Sequence, residues 1–175
     1  MMPIVQIILF GFALTNEIKN SHIAVLDNAK DESSRTIIQR LDASRYFNVA
    51  MYLNTRQDIE KAFKTGRIRL VVVFQQGFRG SLLHSNHAQV QLIADASDPN
   101  TATTVTNYAS NVIGDYQKEL NTQVQVPYMI RPEIRMLYNP QLKGAYNFVP
   151  GVMAMILILI AAMMTSVAIV REKEI

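Results

Sequence analysis

Hydrophobic positions along the chain fall into three regimes. Residues 1–14 and 144–170 are apolar almost without interruption, whereas the stretch between them alternates polar and apolar positions. Within that middle, residues 22–27 (HIAVLD) form a short apolar run ending in Asp27, which predicts a strand followed by a loop. Ile37, Ile38 and Leu41 recur at helical spacing behind the acidic residues of DESSRT, as the helix dipole prefers. Residues 46–53 alternate and predict a second strand. Thr55 and Asp58 read as a capping box for a helix with Ile59, Ala62 and Phe63 on one side, ended by Gly66. Residues 67–74 (RIRLVVVF), rich in β-branched side chains, predict a central buried strand.

The next segment, QQGFRGSLLHSNH, reads as irregular, and AQVQLIADAS as a fourth, alternating strand. Asp98-Pro99 breaks the chain. Ala102, Val105, Ala109, Val112, Tyr116 and Leu120 follow at spacings of three and four and predict a long amphipathic helix. Pro127 and Pro132 punctuate a turn, and residues 133–139 predict a last strand. This order implies an α/β fold, a mixed and mostly parallel sheet with packed helices. No internal repeat is visible.

The two apolar ends change the picture. Residues 149–170 are 22 in number and would make a helix of about 33 Å. A hydrocarbon core is about 30 Å thick, so this segment can span it. A core helix would rarely be so long and apolar on every face. The first segment is shorter than the roughly 20 residues a span requires. As a signal peptide it lacks a basic leader and a small-residue cleavage site. It is expected to be the outer part of a first transmembrane helix, continued before Met1.

Charge sharpens this division. Charged residues make up 18% of the chain, below the roughly 25% of soluble domains. None precedes Glu17 and none lies between Lys143 and Arg171. A plain soluble globule is excluded. The net charge of +3 comes from basic residues interspersed with acidic ones, which argues against nucleic-acid binding. The absence of cysteine leaves the compartment open. Arg171 and Lys173 beside the end of the apolar run favour a cytoplasmic flank. The expected layout is the end of a first span at 1–16, an extracytoplasmic α/β domain at 17–143, a second span at 146–170 and a cytoplasmic segment at 171–175.

Candidate chemistry in the middle is sparse. His84 and His87 lack a third metal ligand and read as histidines of a surface loop. Gly77 and Gly80 do not have phosphate-loop spacing and read as turn glycines, with Phe78 tucked against the core. Asp27, Asp31 and Glu32 lie at the carboxyl end of a strand, where open sheets often bind ligands. Helix capping is the commoner role for such carboxylates. No serine sits in a nucleophile elbow, so no catalytic or metal residue is assigned.

The second apolar segment offers more. Phe148, Pro150 and Gly151 mark the start of a membrane helix, with proline expected in its first turn. Thr165 and Ser166 can hydrogen-bond across helices or to their own backbone. Met153, Met155, Met163 and Met164 give an adaptable apolar face.

Several segments together carry a resemblance: PIVQIILFGFAL, IAVLDNAKDESSRTIIQRL, ADASDPNTATTVTNYASNVI and above all YNPQLKGAYNFVPGVMAMILILIAAMMTSVAIVREKE. The chain resembles, along essentially its whole length, the permease subunit of type 2 ABC exporters of the bacterial multidrug or antibiotic-efflux group. It departs from the pattern in lacking a proline before Gly77 and in carrying Ala96 where glycine is common. Such permeases continue beyond the equivalent of Ile175 with four further spans.

The resemblance implies a multi-pass subunit of the bacterial inner membrane. Two permease chains, alike or different, would form a channel in the lipid bilayer. Cytoplasmic ABC ATPase subunits would carry the ATP and Mg, leaving no cofactor on this chain. Arg171, Glu172, Lys173 and Glu174 match the segment that touches the ATPase, with Glu172 or Glu174 forming an ion pair there. The outer domain would gate the exit, contact its twin or dock a partner, such as a periplasmic adaptor in a double-membrane organism. The competing reading is a two-span sensor or receptor whose extracytoplasmic domain binds a ligand. A membrane-anchored enzyme would need a catalytic constellation that the sequence does not display.

Overall fold

A computed structural model describes residues 20–122 and 127–173. The elements run β1 (Ser21–Asp27), α1 (Glu32–Ala43), β2 (Phe47–Tyr52), α2 (Gln57–Lys64), β3 (Leu70–Phe74), α3 (Phe78–Ser85), β4 (His87–Asp95), α4 (Pro99–Asn121), β5 (Met129–Leu137) and α5 (Ala145–Lys173). The strands form one mixed sheet in the order β2-β1-β3-β4-β5. Every neighbouring pair is parallel except β3–β4. A mixed, mostly parallel sheet with packed helices is therefore the observed class. The expected first span lies outside the described residues.

The strand order explains where the helices go. From β1 the chain moves outward to β2, then back across β1 to β3. Right-handed crossovers taken in opposite directions put their helices on opposite faces. Ile37, Ile38 and Leu41 of α1 thus pack on one face with Phe78 and Leu82 of α3 and the buried stripe of α4. Ile59, Ala62 and Phe63 of α2 pack on the other, against Ala24, Leu26, Val71, Val73 and Ile93. Burying a large aliphatic or aromatic side chain stabilises by about 1.5–3 kcal/mol. The first face, with three helices, carries most of that gain. β3 sits at the centre and is buried at every position, as its sequence predicts.

Local signals place the helix ends. Asp31 caps α1 by accepting from the Ser34 N–H at 2.8 Å. Asp98 caps α4, accepting from the Asn100 N–H at 3.0 Å and the Thr101 hydroxyl at 2.7 Å, with Pro99 in the first turn. Asp58 reaches back to the Thr55 N–H at 3.2 Å, half of the predicted capping box. The Thr55 hydroxyl donates to the Asp58 carboxylate instead of receiving a backbone N–H. Gly66, at φ +69°, closes α2 in the left-handed region that glycine tolerates.

Three expectations need correction. The segment read as irregular contains α3, started by Gly77 at φ +73°, with Gly80 inside the helix rather than in a turn. Only Phe78 and Leu82 of this helix are buried, too faint a periodicity to stand out beside two glycines. His84 accordingly belongs to a helix and His87 to the first position of β4, not to a loop. Pro132 lies within β5, which it does not terminate. Because β5 is an edge strand, a residue without an N–H is accommodated there.

The candidate membrane helix and its junction with the domain

The row Ile23–Leu70–Ala94–Met136 crosses the sheet from β1 to β5. The single antiparallel step makes β5 run opposite to β1. The start of β1 and the end of β5 therefore lie at the same end of the sheet. Three strand spacings separate them, about 14 Å.

From that end the chain passes into α5 through residues 138–144. Tyr138 and Leu142 adopt left-handed backbone at φ +67° and +50°, which costs a non-glycine residue on the order of 1 kcal/mol or more. What holds them is Asn139, 3% exposed. Its Nδ2 donates to the Lys143 carbonyl at 3.0 Å and its Oδ1 accepts from the Lys143 N–H at 3.1 Å. A cleft of about 630 Å³ between this connector and the start of α4 is lined by Pro99, Asn100, Leu142, Gly144, Ala145 and Phe148.

In α5, residues Phe148–Arg171 are 24 long and include an 18-residue stretch with mean hydropathy 2.6, none of it buried by the chain. At 1.5 Å per residue they extend about 36 Å, enough to cross a hydrocarbon core. Phe148 is 72% exposed, and Met153, Met155, Met163 and Met164 are exposed throughout. The helix begins at Ala145, so Pro150 falls inside it and not in the first turn. The carbonyl four residues earlier consequently lacks its helical donor. Gly151 follows immediately. The Thr165 hydroxyl donates to the Ala161 carbonyl at 2.8 Å, bonding its own helix. Ser166 lies with Val167, Val170 and Arg171 around a shallow cleft. The backbone of Glu172 and Lys173 continues the helix, and Glu174 lies outside the described residues.

The carboxylates at the far end of the sheet are occupied. Asp27 accepts from the Ala29 and Lys30 N–H groups and from the Ser34 hydroxyl. Asp31 also accepts from the Arg79 N–H, and Glu32 pairs with the Arg79 guanidinium. Three or more metal-ligating side chains do not converge anywhere among the described residues.

Sequence reasoning missed a cavity of about 290 Å³ lined by Arg56, Ile59, Glu60, Gln91, Ile93, Arg135, Leu137 and Tyr138. It lies where α2 leaves the β4–β5 part of its face uncovered. From β5 the lining takes Arg135 and Leu137, two residues apart on one face of the strand, and that pair was the one local signal.

Known proteins resemble this chain over nearly its whole length. Escherichia coli (strain K12) has a protein named "Probable multidrug ABC transporter permease YbhR", 32% identical over 171 residues, covering 98% of this chain and 46% of its own length. A second, "Probable multidrug ABC transporter permease YbhS", is 27% identical over 177 residues, covering 99% of this chain and 46% of its own. The chain thus spans about half the length of the curated relatives it matches. A solved structure described as "a domain of a putative ABC type-2 transporter from Thermotoga maritima MSB8" superposes with a TM-score of 0.49 at 13% identity, over 66% of this chain and 86% of that one. The model of the family described as ABC-2 family transporter protein matches residues 1–175, and the chain belongs to that family.

Proposed function

We propose that these residues are the end of a first span, an extracytoplasmic domain and the second span of the permease subunit of an ATP-driven exporter of drugs or other small amphipathic compounds. The observation that carries this reading is the shared end of the sheet. β1 begins and β5 ends about 14 Å apart, as a domain inserted between two neighbouring membrane helices requires. The uncovered apolar surface of α5 is suited to lipid and to further helices of the same assembly. Pro150 and Gly151 then sit near the outer surface, where a weakened helix can bend, and Thr165 and Ser166 near the inner one.

In this reading the subunit performs no chemistry itself. ATP and Mg bind separate cytoplasmic ATPase subunits, and a second permease chain completes the pathway in the inner membrane. Arg171, Glu172, Lys173 and Glu174 form the coupling segment, where a charged stretch fixed to a span turns ATPase closure into helix tilt. The outer domain gates the exit, contacts its twin or docks an adaptor.

Topology is tested in the full-length protein, using the absence of cysteine from these 175 residues. A membrane-impermeant maleimide should label Gln76→Cys in intact cells and Ile175→Cys only after lysis. The reverse pattern would overturn the orientation. Reversing charge at Glu172 and Glu174 should abolish cargo-stimulated ATP hydrolysis by the assembled transporter. Unchanged stimulation would remove the coupling role.

A further inference from the structure

We infer that the cavity between α2 and the β4–β5 edge is a binding site for an anionic amphiphile, a molecule with one acidic head and a short apolar body. Its lining is divided along its length. Ile93, Leu137 and Tyr138 form an apolar floor toward the end of the sheet from which α5 departs, with Ile59 of α2 facing them. Arg56 and Gln91 stand toward the other end, and Arg135 lies beside Ile93 in the cross-strand register.

The charges favour an anion. Glu60 is engaged by Lys64 at 3.0 Å. Nearby, Arg69 lies 3.5 Å from Asp95. Arg56 donates only to the neutral Gln91 side chain, at 3.2 Å, and neither Arg56 nor Arg135 has a carboxylate partner among the described residues. Gln91 is 9% exposed, so its bond ties the exposed Arg56 side chain to the sheet at the rim of the cavity. A guanidinium held in this way presents paired donors to a carboxylate or phosphate. The volume, about 290 Å³, is at the small end of ligand sites and suits a short chain or single ring.

The polarity of the site follows the long axis of the domain. Resting on the topology proposed above, the apolar end faces the membrane and the arginines face away. An amphiphile rising from the outer leaflet would meet the floor with its tail and the guanidinia with its head. Both an anionic lipid and a free amphiphilic acid satisfy this chemistry.

The test uses the full-length protein in phosphatidylcholine nanodiscs, with radiolabelled dodecanoate as probe and empty discs as baseline. Saturable binding is expected, weakened tenfold or more in the Arg56→Gln/Arg135→Gln double variant. Leu137→Glu, which puts an acid into the floor at a half-exposed position, should weaken it independently of the arginines. Dodecyltrimethylammonium, of equal chain length and opposite charge, should show no saturable binding. In phosphatidylglycerol discs, loss of dodecanoate binding identifies a lipid headgroup as the occupant, and undiminished binding identifies a free amphiphile. Equal dodecanoate binding by the parent and both variants, or equal binding of the cation, would overturn the site. Neither ATP nor transport enters the readout, so failure of this site and failure of the exporter reading are distinguishable.

Discussion

The side-chain amide of Asn139 closes a ring of two hydrogen bonds onto the main chain of Lys143, at 3.0 and 3.1 Å. Asn139 is buried and the bonds are partly so, and they secure a connector with left-handed residues on either side of the Asn139-Pro140 pair. Asn139→Ala should therefore cost about 1–3 kcal/mol, because two backbone groups lose their partner. Hydrogen exchange of the detergent-solubilised chain should show protection lost first across residues 138–148. Uniform exchange in variant and parent would mean the clamp holds nothing.

A second prediction concerns Asp98. The Thr101 hydroxyl bond foremost, then the backbone N–H bonds of Thr101 and Asn100, hold its carboxyl below the usual carboxylate range, against partial burial that pushes it up. A depressed folded-state value means the ionised form is favoured by folding. Its contribution is complete above the ordinary value of about 3.9 and is lost as pH falls through the lower, folded value. Asp98→Ala should cost about 1 kcal/mol at neutral pH. Thermal unfolding of parent and variant should converge at strongly acidic pH; a gap that stays constant to pH 2 would contradict the capping account.

Leu92 lies in β4, fully buried in the larger core. Leu92→Ala should destabilise by about 2–5 kcal/mol, through lost transfer energy and the cavity left behind. Loss of less than about 1 kcal/mol in denaturant titration would imply that the first face is loosely packed.

Leu159, 58% exposed, stands near the middle of the apolar stretch of α5. In water, Leu159→Arg on a solvent-facing helix would change stability by no more than about 0.5 kcal/mol. At the centre of a bilayer an arginine costs about 2.5–3.5 kcal/mol. A membrane-insertion assay should show the span failing to insert in a corresponding fraction of chains. Full insertion of the variant would argue that this helix is covered by protein or water.

The strands and long helices were legible because their signals are local. Asp98-Pro99 stands next to a stripe of Ala102, Val105 and Ala109 that the structure buries. Val71, Val72 and Val73 announce a strand that can only be central. Helix α3 was not legible, since Phe78 and Leu82 alone cannot outweigh the helix-breaking cue of Gly77 and Gly80. Pro132 misled for a different reason: whether proline is tolerated in a strand depends on the strand being an edge, which is a property of the whole sheet. The arginine-edged cavity draws on three separate segments, around Arg56, Gln91 and Arg135. No periodicity in one segment encodes that convergence.

The antiparallel pairing of β3 with β4 also has a mechanical consequence. On the topology proposed above, the domain is moored at two points about 14 Å apart on one end and keeps a single rotation that leaves both moorings in place: rocking about the line that joins them. The rigid connector at Asn139 stiffens one mooring against twisting. Tilting of α5 would thus reach the far end of the sheet as a hinge motion about one axis, like a door swinging on its pins.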